Sequence, residues 1–336
     1  MRRPMPFAEA AVRACRSPVV MIVSLCLTLV CFSGRAAADE AKAGGNAPSR
    51  RYEVQVTRDL VYYDIPNDPD RYRHRLDVYR PKAKRTFPVL VFWHGGAWMI
   101  GQKDDYLGIY GYGTIARCLA ERGLVVVLPN YRLSPGVRHP EHIKDAARAF
   151  AWSCGHVERY GGDPKQIFIG GHSAGGHLAA LLATDESYLK KEGRSRRDIR
   201  GVIGASGVYR VDNLELKLAL PGPGGAKVLR SEVRPLAVAF GDDPKVAKRA
   251  SPLTHVCRGL PPFLLLNAQF DYLPLPPMAR EFAAALKKNG CEVRTKTIGW
   301  CTHETLVFDI LRQSAEPATV DEIVGFIQRH TSKAGR

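Results

Sequence analysis

The sequence is short of acidic residues, of cysteine and of long apolar runs, and each shortage excludes something. Asp and Glu number 33 against 49 Lys and Arg, which leaves a formal net charge of +16 over 336 residues. So basic a chain first raises nucleic acid as a partner. The positive charge is spread along the chain, however. Its densest run, Lys190–Arg197, is interrupted by Glu192, followed by Asp198, and carries no aromatic residue. That pattern is a solvated basic loop, and no nucleic-acid partner is expected. There are 8 cysteines, and only Cys118, Cys154, Cys257, Cys291 and Cys301 lie beyond residue 38. Their spacing matches no zinc pattern, so no metal is expected. An odd number leaves at least one thiol free or paired between chains, and one disulfide is compatible with an oxidising compartment.

The apolar run Val19–Phe32 is too short for a comfortable membrane span, which needs about 20 residues. Arg2, Arg3, Arg13 and Arg16 precede it and Ala36-Ala37-Ala38 follow it. A basic leader, an apolar run and small residues at the end form an export signal, here 1–38, cleaved before Asp39. The expected location is therefore secreted or periplasmic, without stable membrane insertion; an uncleaved anchor is the alternative. Residues 39–50 are rich in Ala, Gly, Asn, Pro and Ser and read as a flexible lead-in. Residues 51–336 are expected to form one folded domain. No internal repeat is present.

That remainder alternates two kinds of segment. Tyr52–Ile65 and His74–Tyr79 suit an antiparallel edge. Pro88–Trp93, Leu124–Pro129, Gln166–Gly170, Arg200–Ala205, Pro262–Ala268 and Glu292–Ile298 read as strands, several of them continuous apolar runs buried on both faces. Helices are expected at Tyr112–Arg122, His142–Tyr160, Ala174–Thr184, Met278–Asn289 and Thr319–His330. Such alternation gives an α/β fold with a mainly parallel central sheet and helices on both faces. The stretch 214–247, with Pro221-Gly222-Pro223-Gly224-Gly225, breaks the alternation. It reads either as a small cap-like insertion over a site or as a surface excursion.

Two glycine-rich turns follow buried strands. Gly171-His172-Ser173-Ala174-Gly175 sits between a strand and a helix. A serine on such a turn has a strained backbone, and side chains two residues to either side would collide, so both outer positions need glycine. Ser173 is the candidate nucleophile. Upstream, His94-Gly95-Gly96-Ala97-Trp98 follows Pro88–Trp93. Its glycines let backbone amides approach a developing negative charge. The expected oxyanion donors are the amides of Gly95 or Gly96 with that of Ala174, the residue after the serine.

A serine hydroxyl needs a base, and the base needs an orienting carboxylate. His303 follows a strand in the loop Gly299–Glu304, the correct edge for a site in an open parallel sheet. His177 lies too close to the serine, and packing is its expected role. Asp271 ends Leu264–Asp271, a strand running into an aspartate. Asp242, Asp243 and Asp309 sit in the insertion or in an expected helix. The expected catalytic set is therefore Ser173, Asp271 and His303. Trp98, Tyr272 and Trp300 adjoin these loops and read either as substrate-binding residues or as aromatic core.

Taken with Tyr131–Pro135, Asp145-Ala146-Ala147 and Gly161–Pro164, these motifs resemble the carboxylesterase branch of the α/β-hydrolase superfamily, which includes hormone-sensitive-lipase-like esterases. Ala97 stands where a third glycine is common and His172 where an acidic residue is common. Both are similar to bacterial feruloyl and acetyl-xylan esterases and to kynurenine formamidases. The resemblance implies an α/β-hydrolase fold, no cofactor, and hydrolysis of a carboxylic ester through an acyl-enzyme on Ser173. The substrate would be a small-molecule or polysaccharide-linked ester, acetyl or feruloyl. A formamidase or other amide hydrolase with the same triad, and a non-catalytic binding protein on this scaffold, are the alternatives.

Overall fold

Strand order follows from which strands can tolerate solvent. The computed structural model describes residues 51–64, 66, 69–104, 111–211, 218–220, 227–229, 235–307 and 318–332. The leader and the lead-in expected over 1–50 lie outside them. The described residues form an eight-stranded sheet in the order β1-β2-β4-β3-β5-β6-β9-β10. Its members are Val54–Val61 (β1), Arg75–Pro81 (β2), Phe87–Trp93 (β3), Val125–Pro129 (β4), Gly162–His172 (β5), Val202–Ala205 (β6), Phe263–Phe270 (β9) and Val293–Thr302 (β10). The strands richest in exposed residues, β1 and β10, are the two edges. The apolar runs of β3, β4 and β6 sit between them, buried. β1–β2 and β2–β4 pair antiparallel, and every pair from β4 to β10 is parallel.

Helices cover both faces, and the strand period of two divides the core accordingly. Val89, Val91 and Trp93 of β3 join one apolar cluster, with Glu141–His156 (α2), Ala174–Thr184 (α3) and Leu275–Lys288 (α7). Leu90 and Phe92 point the other way, into a cluster with Tyr112–Glu121 (α1) and Ala318–Ser332 (α8). Phe263 and Leu265 of β9 likewise oppose Leu264 and Leu266. A short helix, Ser187–Lys191 (α4), follows α3.

Several boundaries differ from the sequence reading; β5, for one, begins at Gly162, four residues before the expected Gln166. α2 ends at His156, and the expected last turn is a 3₁₀ turn, Val157–Tyr160, closed by Gly161 at φ 76°. β9 runs on to Phe270, so Asp271 immediately follows it. β10 continues through the expected loop to Thr302, its register with β9 shifting between Ile298 and Thr302. In the insertion, Leu218–Leu220 (β7) and Lys227–Leu229 (β8) form an antiparallel hairpin, followed by Pro235–Phe240 (α5) and Pro244–Ala250 (α6). Phe240 packs edge-on against Trp98 and His177, 4.8 and 5.5 Å between ring centres. The end of the insertion thus lies against the turn that follows β3.

Sheet order reverses at β3, which is followed in sequence by β4 on one side and flanked by β5 on the other. Trp93 pairs with Gly171, so the turn after β3 and the turn after β5 emerge side by side. In open parallel sheets that crevice, at the carboxyl ends of the strands, is where ligands bind.

Candidate active site

Ser173 joins β5 to α3 with φ 53° and ψ −116°, outside the regions that an L-residue adopts easily. The surroundings enforce this backbone. A Cβ on Gly171 would lie 2.3 Å from the Gly175 carbonyl carbon, and one on Gly175 would lie 2.1 Å from the Trp93 carbonyl oxygen. The Ser173 amide donates to the Ala205 carbonyl at 2.8 Å, which ties the turn to the end of β6. The two outer glycines are therefore steric requirements, as the sequence pattern implied.

Asp271 and His303 meet. His303 Nδ1 and Asp271 Oδ1 are 2.7 Å apart, both residues buried. The carboxylate also accepts from Ser206 Oγ at 2.5 Å, Asn267 Nδ2 at 3.2 Å, and the amides of Ala268 and Tyr272 at 3.2 and 3.0 Å. Burial pushes this carboxyl up, but the bonds from His303, Ser206 and Asn267 outweigh it and hold it below its ordinary value. An ionised carboxylate on Nδ1 leaves Nε2 of His303 as the nitrogen facing outward chemistry. Among the described residues no hydrogen bond joins Ser173 Oγ to His303. Such bonds commonly form only once substrate is bound.

Ser206 and Asn267 went unnoticed in the sequence. Asn267 had a signal, a lone amide closing Leu264-Leu265-Leu266 four residues before the aspartate. Ser206 had none, because its approach depends on β6 lying beside β9; its φ of 47° aims the loop after β6.

The Gly95 amide corrects one expectation. It donates to Tyr112 Oη at 2.7 Å, so this N–H is already engaged and is not an oxyanion donor in this arrangement. The amides of Gly96, Ala97 and Ala174 have no acceptor among the described residues. The Ala174 amide heads α3, where the helix leaves its first N–H groups open. The aromatic candidates separate. Tyr272 stands beside the pair, its ring 4.4 Å from that of His303 and its hydroxyl donating to Glu304 Oε1 at 2.5 Å. Trp98 is buried against His177 and Phe240 and is core, not an open pocket wall. Trp300 is 81% exposed, at φ 56° on the irregular end of β10. His177 packs as expected, Nε2 against the Ala250 carbonyl at 2.7 Å, and burial lowers its pKa to about 3.

Strand order, the elbow after β5 and the helices on both faces define the α/β-hydrolase fold. Solved structures agree: Esterase B from Lactobacillus rhamnosis superposes with a TM-score of 0.66 at 23% identity, covering 86% of this chain and 91% of that one. An esterase from Pyrobaculum calidifontis gives 0.63 at 25% identity, covering 76% and 81%. The BD-FAE family model matches residues 76–286, and the chain belongs to that family. It is 34% identical over 250 residues to Esterase LipQ of Mycobacterium tuberculosis, 72% of this chain and 55% of LipQ. It is 30% identical over 290 residues to a probable isoprenylcysteine alpha-carbonyl methylesterase, ICME, of Oryza sativa subsp. japonica, 84% of this chain and 66% of that protein. The chain thus spans between about half and two thirds of these relatives' length.

Proposed function

We propose that the chain is a serine carboxylesterase acting through an acyl-enzyme on Ser173. The observation that carries this reading is the buried Asp271–His303 pair on the same sheet edge as the strained Ser173 turn. Ser173 Oγ attacks the ester carbonyl while His303 Nε2 takes its proton. Asp271 stabilises the imidazolium. The amides of Gly96 and Ala174, with that of Ala97 the adjacent open donor, face the oxyanion. The alcohol leaves with the proton held by His303, and water then cleaves the acyl-enzyme by the same route. No step requires a cofactor.

Esters of plant polysaccharide, acetyl or feruloyl, are the substrates that the motif resemblance favours. A panel of short p-nitrophenyl esters, methyl ferulate and acetylated xylan tests this. Turnover of the small esters alone would leave the polysaccharide reading without support. Export through residues 1–38 belongs to the same proposal, and N-terminal sequencing of the mature protein should begin at Asp39.

A further inference from the structure

One buried chain of hydrogen bonds links two loops that the proposed chemistry needs in register. The Gly95 amide donates to Tyr112 Oη at 2.7 Å, Tyr112 Oη lies 2.9 Å from His172 Nδ1, and His172 Nε2 lies 2.9 Å from the backbone carbonyl of His303. Chemistry fixes every direction. A carbonyl only accepts, so His172 Nε2 carries the hydrogen. Burial keeps the His172 ring neutral, so Nδ1 is bare and accepts. The Tyr112 hydroxyl therefore donates to Nδ1 and accepts from Gly95. The contact is close: a Cβ on Gly95 would fall 2.8 Å from Tyr112 Oη and 3.0 Å from His172 Nδ1. The His172 ring also lies 4.6 Å from the His303 ring.

We propose that Tyr112 and His172 are positioning residues, holding the Gly95–Gly96 turn and the His303 loop at one separation across the Ser173 elbow. The proposal rests on the roles given above to Ser173 and His303. The two loops follow β3 and β10, which three other strands separate in the sheet. A displacement of about 1 Å between donor and base costs roughly 10²-fold in rate. This bonded chain, running through the residue before Ser173, is a direct tie between them. Asp271 orients the His303 side chain, and His172 sets its backbone.

The test uses the full chain with Tyr112→Phe, His172→Asn, His172→Gln and the double variant Tyr112→Phe/His172→Asn. Ser153→Ala serves as a control, since it removes a buried hydroxyl bonded only to the Ala149 carbonyl of its own helix. Turnover of p-nitrophenyl acetate is read per site titrated with a fluorophosphonate. Tyr112→Phe and His172→Asn should each lower kcat per titrated site by about 10- to 100-fold, with KM within about twofold. The double variant should be no slower than the slower single one, because one break severs the chain. His172→Gln should recover part of the loss, since its amide nitrogen can still reach the His303 carbonyl. Ser153→Ala should match wild type. A kcat per titrated site within about twofold of wild type in both single variants, or additive losses in the double, overturns the proposal. Without any variant, ¹⁵N spectra should show His172 as the neutral Nε2–H tautomer at pH 7; the Nδ1–H form or an imidazolium overturns it. Failure of the underlying reading looks different: wild type would not titrate at Ser173, and Ser173→Ala would keep its turnover.

Discussion

A few contacts between single atoms give the elbow its geometry. Gly175 lies so close to the Trp93 carbonyl that even one methyl group has no room. Gly175→Ala should therefore destabilise the chain by at least about 3 kcal/mol, read as a shift in the urea midpoint. A midpoint unchanged within error would mean that the turn is not built this way. Asp271→Asn should lower kcat by about 10³- to 10⁴-fold, because an amide cannot hold the His303 tautomer or stabilise its cation. A change below tenfold would move the acid elsewhere. At this scale the sequence was most legible where a residue's role depends on its immediate neighbours. Ser173, Gly171 and Gly175 could be read because the steric conflict is local. The meeting of Asp271 with His303 could be read because each closes a strand. Ser206, Tyr112 and the second role of Gly95 could not, since their partners arrive from strands or helices distant in sequence.

At the scale of elements, the turn after β4 is anchored by charge. Arg132 donates through Nε and Nη2 to Asp145 on α2, at 2.8 Å each, and Asp145 is fully buried, also within 3.3 Å of His74. Burial pushes the Asp145 carboxyl up, but bonds from His74 and Arg132 outweigh it and hold it at about 2. Arg132→Ala leaves a buried carboxylate short of its main cation. It should cost about 3–5 kcal/mol in urea unfolding. A loss under about 1 kcal/mol would show that His74 and Arg148, whose Nη1 lies 3.0 Å from Asp145 Oδ1, suffice. The motif residues Arg132 and Asp145 are thus scaffold, tying the turn after β4 to α2. Element boundaries were harder to read than element types. β10 carries Arg294, Thr295, Lys296 and Thr297, an edge strand's polar run, so nothing in its composition marks the continuation to Thr302.

Across the whole molecule, buried histidines set how stability depends on pH. Burial lowers His94 and His177 to about 3, and His139 and His142 to about 4; His172 moves the same way. In the unfolded chain each titrates near 6.5. Below that value the unfolded state binds protons that the folded state refuses. Stability is therefore full above pH ~6.5 and falls as pH drops toward 4, by up to ~1.4 kcal/mol per unit for each histidine. Thermal midpoints at pH 7.5, 6 and 5 should decline in that order, and a flat series would contradict the buried neutral assignment. One cation of the basic run has an acidic partner, and the acids in and beside the run are engaged as well. Lys190 pairs with Glu186 and Glu192 with Arg148, at 3.1 and 3.7 Å, and Asp198 forms a capping box with Ser195. Among the described residues Cys154, Cys257 and Cys291 are free thiols. No helix among the described residues is long and apolar enough to cross a membrane.

Labelling the nucleophile tests the role of Ser173 most directly. The chain is treated with a fluorophosphonate, digested, and the modified residue located by mass spectrometry, with Ser173→Ala assayed in parallel on p-nitrophenyl acetate. The expected result is a single adduct on Ser173 and loss of turnover in the variant. An adduct on another residue, or a variant with wild-type turnover, would contradict the account.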